Sequence, residues 1–173
     1  MKPLKTEVTY KTPWFEVVGK TMRPDEAPYY SLRLPDYAAV VAFTEDGRIL
    51  VVRQYRPAVE RYSLELPSGI VDPGEEPVET ARRELLEETG YAAAHTEVIG
   101  PMFVDTGRLS NRIFGCVVTG ARPVEGRTPE EGIEVLVWPV EELWRATRSG
   151  EFALSLHIAI LMQAVLAGNL PLR

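Results

Sequence analysis

The segment GIVDPGEEPVETARRELLEETGY, residues 69–91, constrains this chain more than any other stretch. Pro77 suits the first position of a helix, where its missing N–H would have no intrahelical partner anyway. Gly90 suits the position just past a helix end, where the backbone turns left-handed. The segment therefore predicts a loop over Ser68 to Glu76 and a helix from Pro77 to about Thr89. At about 100° per residue, Val78, Ala81 and Leu85 share one face, the stripe for a core. Glu84, Glu87 and Glu88 fall on the neighbouring face, one turn apart, and Arg83 is expected to point elsewhere.

Three like charges on one helix face repel, at a few tenths of a kcal/mol per exposed pair. A glutamate-rich face is ordinarily a solvated one. The alternative is a cation: hard ions such as Mg²⁺ take oxygen ligands and sit on a few carboxylates plus substrate phosphates. The spacing here runs Gly69, Glu75, Arg83-Glu84-Leu85, Glu87-Glu88, Gly90-Tyr91. Seven fixed residue types at those offsets should arise by chance about once in 10⁸ starting positions.

The rest of the chain reads as mixed strands and helices. TEVTYKT near the start and APYYSLRL (27–34) are β-prone, broken by Pro13 and by Arg23-Pro24-Asp25-Glu26. Residues 1–36 form one N-terminal strand region, and 37–173 the main domain. Ala38 to Phe43 and Ile49 to Tyr55 flank the turn Glu45-Asp46-Gly47-Arg48 as a hairpin. Tyr62 to Leu66, Thr96 to Ile99, Arg112 to Thr119 and Ile133 to Val137 are further strands, with Ala121 to Gly132 a polar loop. Val140 to Thr147 and Ser155 to Ala167 are helices. Without regular βαβ alternation, the expected class is α+β.

The 173 residues suit one domain with a real core. A formal net charge of −6 argues against a broad nucleic-acid footprint, which needs a basic face. It leaves room for a small anionic substrate, because a bound cation inverts the charge of an acidic site. Cys116 is the lone cysteine, so no intrachain disulfide forms, which suits a reducing cytoplasm. The opening MKPLKTEVTY lacks the apolar core of a secretory signal, and the apolar stretch around 157–167 is too short for a bilayer. Cys116 and His157 read as structural residues.

The residues of 69–91 resemble the Nudix box, G-x5-E-x7-R-E-U-x-E-E-x-G-U with U apolar, at every fixed position; Tyr91 fills the last apolar place. The resemblance implies a Nudix-type α/β/α sandwich, a mixed sheet with helices on both faces. It implies divalent cations, Mg²⁺ with Mn²⁺ as an alternative and two or more ions, and hydrolysis of a nucleoside diphosphate linked to another moiety. It makes Glu84, Glu87 and Glu88 metal ligands and Arg83 the residue that orients a box glutamate. Glu75 would support the loop, and Gly69 and Gly90 are backbone devices.

Arg53-Gln54-Tyr55-Arg56, then Glu65-Leu66-Pro67-Ser68-Gly69, resemble the branch that cleaves ADP-ribose and other nucleoside diphosphate sugars, as does Pro13-Trp14-Phe15. That branch implies a metal-binding carbonyl at Ser68, a phosphate contact at Arg56 partnered by Glu65, and a stacking Trp14. It also implies a loop glutamate that activates water; Glu131 matches best and Glu130 next. The stretch Val104 to Arg112 keeps a Gly-x-x-Ser shape but lacks the branch's proline, which leaves other sugars open; Arg108 and Arg112 are anion contacts by this reading. Expected products are a nucleoside monophosphate and a sugar phosphate. NADH, FAD and dinucleoside polyphosphates are alternative substrates, and a non-catalytic ligand sensor is an alternative role. The long N-terminal region implies a homodimer.

Overall fold

The computed structural model describes residues 1–172. Strands β1 (Lys5–Lys11), β2 (Glu16–Thr21) and β3 (Tyr29–Arg33) form a separate antiparallel sheet in that order. β4 (Tyr37–Thr44) and β5 (Ile49–Arg56) make the expected hairpin, its turn using Gly47 at φ 79°, backbone that favours glycine. β6 (Arg61–Glu65) lies antiparallel on one edge of β5 and β11 (Ile133–Trp138) on the other. β7 (Ser68–Ile70) pairs antiparallel with β4, while β10 (Arg112–Pro123) runs parallel to β4. β8 (Tyr91–Ala92) and β9 (His95–Phe103) both pair with β10. The sheet is therefore mixed.

Helix α1 (Pro77–Thr89) covers one face, and α2 (Val140–Ser149) and α3 (Ser155–Leu166) cover the other. The period-2 alternation of β4 separates the two cores. Ala39 and Val41 pack with Leu143, Phe152, Ile160 and Leu161, whereas Val40 and Ala42 pack with Ala81 and Leu85 of α1. Ala81 and Leu85 of the expected stripe are fully buried. A buried leucine contributes roughly 2 kcal/mol over an exposed one, which is what seats α1 on the sheet. α1 starts at Pro77 and ends at Thr89 before Gly90 (φ 74°), as the sequence predicts.

Three strands escape the sequence reading, the two-residue β8 among them. β2 was not anticipated, and Ser68–Ile70, expected as loop, is strand β7. Three residues carry too little pattern of their own; β7 exists because β4 offers Tyr37, Ala38 and Ala39 as partners. β9 and β10 also run further than expected, β10 into the supposed polar loop, where Ala121 is buried against α1's core and Arg122 pairs with Ala92. The N-terminal sheet meets the body through Leu32, whose N–H donates to the Arg108 carbonyl while its own carbonyl accepts from Ser110. No helix among the described residues is long and apolar enough to cross a membrane.

Candidate active site

The loop before α1 and the helix itself fold onto β7. Gly69 lies directly under the Glu84 carboxylate, so that a Cβ there would collide with it. One residue earlier, the Ser68 N–H donates to Glu88 Oε2 at 2.8 Å. Two carboxylates one turn apart on α1 therefore reach adjacent residues of one short strand.

Arg83 does not point elsewhere, contrary to the helical projection. Its long side chain curls back along the face: Nη1 donates to Glu84 Oε1 at 2.6 Å and Glu87 Oε2 at 3.1 Å. Its Nε and Nη2 hold both oxygens of Glu75 at 3.2 and 3.1 Å, and Nη2 also reaches the Ile70 carbonyl at 3.1 Å. A projection places Cβ directions, and a flexible guanidinium is free to leave them. Glu75 is held down to about 2, first by the Arg83 hydrogen bond, and it ties in Thr80 Oγ1 at 2.8 Å and the Asp72 N–H at 3.3 Å. Arg83 is raised, chiefly by the same bond to Glu75.

Glu88 has the opposite environment. It is 5% exposed, and its bonded partner is a backbone amide rather than a guanidinium or ammonium. Burial pushes its carboxyl up to about 8 against the pull of the Ser68 amide, with the Glu84 charge adding to the rise. Burial raises Glu84 as well.

Arg56 and Glu65 stand beside Glu88. Arg56 donates to Glu65 through Nε and Nη2 at 2.8 and 2.6 Å, a bidentate fork, and the Arg56 charge also draws Glu88 downward. Burial works to raise Glu65, which is 2% exposed, but the Arg56 fork outweighs it and the net direction is down. The pair is half-buried, Glu65 enclosed and the Arg56 side chain 42% exposed. Both residues line a cleft of ≈ 920 Å³ with Arg53, Tyr62, Trp138 and Leu154, whereas no box glutamate lines it. A smaller hollow of ≈ 600 Å³ borders the box loop, lined by Asp72, Glu75, Arg112 and Phe114 among others. On β5, Gln54 Nε2 is buried without a hydrogen-bond partner, a donor that sequence reasoning did not single out.

The remaining expected residues scatter. Trp14 is 71% exposed and lines a shallow pocket of the N-terminal region with Phe15, Glu16 and Arg33, away from the box. Arg108 packs its guanidinium 4.6 Å over the Tyr29 ring. Arg112 forks onto Asp36 through Nε and Nη2. Both arginines are thus engaged rather than simply solvated. Glu131 is exposed; Glu130 donates its N–H to the Glu87 carbonyl at 3.0 Å, and its charge acts on Glu84. Cys116 is buried and pushed up to about 12 by that burial, an inert core thiol as expected.

The acceptors that α1 brings to β7 suit a hard divalent cation, for the carboxylates of Glu84 and Glu88 both meet Ser68–Gly69. The absent Cβ of Gly69 is the cradle that admits the Glu84 carboxylate. Glu88 is a buried acid with no cationic side chain bonded to it, the kind of group a metal ion satisfies. Among the described residues, no three His, Cys, Asp or Glu side chains are grouped so as to hold an ion as they stand, because Arg83 draws Glu84 and Glu87 toward itself.

A family model described as the NUDIX domain matches residues 33–155. An ADP-ribose pyrophosphatase of Bacillus subtilis (strain 168) is 44% identical over 120 residues, 68% of this chain and 65% of that protein. A methanol dehydrogenase activator of Bacillus methanolicus is likewise 44% identical, over 114 residues, 64% of this chain and 62% of its own length. The matched region thus spans less than two thirds of these relatives. A crystal structure of an ADP compounds hydrolase superposes with a TM-score of 0.78 at 22% identity, over 98% of both chains, and shares the fold.

Proposed function

The chain belongs to the Nudix family, and on that premise we propose that it hydrolyses the diphosphate of a nucleoside diphosphate sugar of the ADP-ribose kind. The observation that carries the reading is the meeting of Glu84 and Glu88 on Ser68–Gly69, beside the half-buried Arg56–Glu65 fork. Glu84, Glu87, Glu88 and the Ser68 carbonyl would hold Mg²⁺, or Mn²⁺, in two or more sites. The ions, when bound, neutralise the non-bridging phosphate oxygens and make a bound water more acidic.

The chain's own residues do the rest. Arg56, held by Glu65, offers its remaining donors to a substrate phosphate, and the ≈ 920 Å³ cleft beside it is large enough for a nucleotide. Arg83 fixes the rotamers of Glu84 and Glu87. The Glu130–Glu131 loop supplies the carboxylate that aligns and deprotonates water. Glu131 matches the position that the resemblance assigns, and Glu130 is the one tied to α1. Displacement is direct, with no covalent intermediate; AMP and a sugar phosphate are the products.

The N-terminal sheet is read as a dimerisation element. Val8, Tyr10, Trp14, Tyr29 and Tyr30 are exposed, apolar surface that a second copy would cover. For a C2 pair, light scattering at micromolar concentration would return twice the chain mass. The lone buried thiol suits a cytoplasmic setting.

The function is tested by incubating the protein with ADP-ribose and Mg²⁺ and resolving products by ion-exchange chromatography, with Glu88→Gln as control. AMP and a sugar phosphate from the wild type, nearly absent with the variant, support the reading. GDP-mannose, UDP-glucose, NADH and FAD distinguish the substrate. No cleavage across that panel with either Mg²⁺ or Mn²⁺ overturns it.

A further inference from the structure

The chain passes from β5 to its neighbour β4 in two residues. β6 ends at Glu65 on β5, and β7 begins at Ser68 on β4. Leu66 and Pro67 make the crossing, Leu66 fully buried. A buried backbone N–H needs an acceptor, so the donors of this crossing can be followed one by one. Pro67 has none, and its carbonyl accepts from the Val40 N–H at 2.9 Å. Ser68 gives its N–H to Glu88. Leu66 gives its N–H to His157 Nδ1 at 2.9 Å, a side chain of α3 lying 91 residues further along the chain.

That bond fixes the tautomer of His157. Leu66 N–H can only donate, so Nδ1 carries the lone pair, and the neutral ring bears its hydrogen on Nε2. Nε2 lies 2.6 Å from Tyr37 Oη, with the two rings only 15° from parallel, so the Nε2–H donates to the tyrosine oxygen in the plane of both rings. His157 has no exposed surface. Burial holds it neutral, down to about 4, so both bonds persist across the physiological range.

We propose that His157, oriented by Tyr37, is a positioning residue for hydrolysis: by holding Leu66 it sets the crossing whose two ends are Glu65, the anchor of Arg56, and Ser68, the amide donor to Glu88. The proposal rests on the functional reading above. His157 touches neither substrate nor ion. It acts through one backbone bond on a phosphate contact and on a metal ligand at once, which is why a helix on the far face of the sheet bears on the box. Partners of this kind alter metal affinity or activity by about 10–100-fold when lost.

The test uses the full chain and three variants. His157→Leu removes the acceptor at similar volume. His157→Asn returns an oxygen close to the place of Nδ1. Tyr37→Phe removes the group that orients the ring. Each is measured for thermal midpoint, for Mn²⁺ affinity by EPR titration with the metal alone, and for kcat and KM on ADP-ribose with Mg²⁺. The proposal expects His157→Leu to stay folded and to lose about 10–100-fold in kcat, with KM within about 3-fold and Mn²⁺ affinity weakened about 10-fold or more. His157→Asn should recover to within about 5-fold of wild type, and Tyr37→Phe should fall between. A folded His157→Leu with wild-type kcat and Mn²⁺ affinity overturns the proposal, as does a folded His157→Asn no better than the leucine variant. Should His157→Leu fail to fold, Tyr37→Phe decides: wild-type kcat and Mn²⁺ affinity there overturn it, and a loss in both supports it. A wild-type chain that neither cuts a diphosphate nor binds Mn²⁺ overturns the functional reading itself and the proposal with it, so the two failures are distinguishable.

Discussion

The two ends of the α1 carboxylate face are made of the same residue type and live in opposite electrostatic worlds. At the open end Glu75, Glu84 and Glu87 surround one guanidinium, and Glu75 sits at about 2. At the closed end Glu88 is buried on an amide and sits at about 8. The difference teaches that at the open end the protein itself gives every acid a bond to one guanidinium, whereas the closed end keeps an acid with no cationic partner in a dry place. A fold tolerates such a group when something else completes it. In the reading proposed here that something is a divalent cation.

The largest effect should come from the closed end. Glu88→Gln keeps the shape and the acceptor for Ser68 N–H but removes the charge, and kcat on ADP-ribose should fall about 10³-fold, the scale of the several kcal/mol that a catalytic metal supplies. Because burial already disfavours the charged carboxyl when no metal is bound, the thermal midpoint without metal should not drop; a large drop would mean that the carboxylate is structural. The open end should respond less. Arg83→Gln leaves Glu84 and Glu87 free to move, and kcat should fall about 10–100-fold. Arg83→Lys should do no better, since one ammonium cannot hold Glu75 by two nitrogens while reaching Glu84 and Glu87. Full activity in the lysine variant would reduce the network to simple charge neutralisation. A third comparison separates the loop acids: Glu130→Gln should lose about 10-fold or more and Glu131→Gln less than about 3-fold. The reverse order would return the role to Glu131.

What the sequence made legible follows the range of the forces involved. α1 was readable to the residue because both its ends carry local punctuation, Pro77 and Gly90. The β4–β5 hairpin was readable because its turn and its two apolar runs are contiguous. β7 was not, since its partner β4 lies some thirty residues upstream and three residues hold no period. The box residues were legible through the resemblance, but the direction of Arg83 was not, because a projection ignores the reach of a long side chain. Trp14 and Arg108 show another limit. Their residue types suit a nucleotide site, yet in one chain they pack on the N-terminal sheet, a matter of tertiary placement that no local signal encodes. His157 reads as structural in the sequence and is buried in the fold, but its tie to Leu66 spans 91 residues, and a lone histidine on an apolar helix advertises no partner.

The comparison that probes the far side of the closed end is a pH dependence of stability. His157 is buried and neutral, with its folded value at about 4 against an ordinary 6.5. Desolvation is the main cause, with Glu65 pulling upward and Arg56 downward. A base whose folded value is depressed contributes stability that is fully present above its unfolded value and is lost as pH falls through the folded one. Between about pH 6.5 and 4 the wild type should therefore lose up to about 1.4 kcal/mol per pH unit to this one proton. His157→Asn has no such proton to take up. Denaturant unfolding of both proteins at pH 7.5, 6, 5 and 4 should show the wild type falling toward the variant as the pH drops, after the shared titration of the carboxylates cancels in the difference. Parallel curves would mean that the folded imidazole takes up its proton as readily as the unfolded one; once protonated, Nδ1 is a donor, and the bond from Leu66 on which the arrangement of the closed end depends is lost.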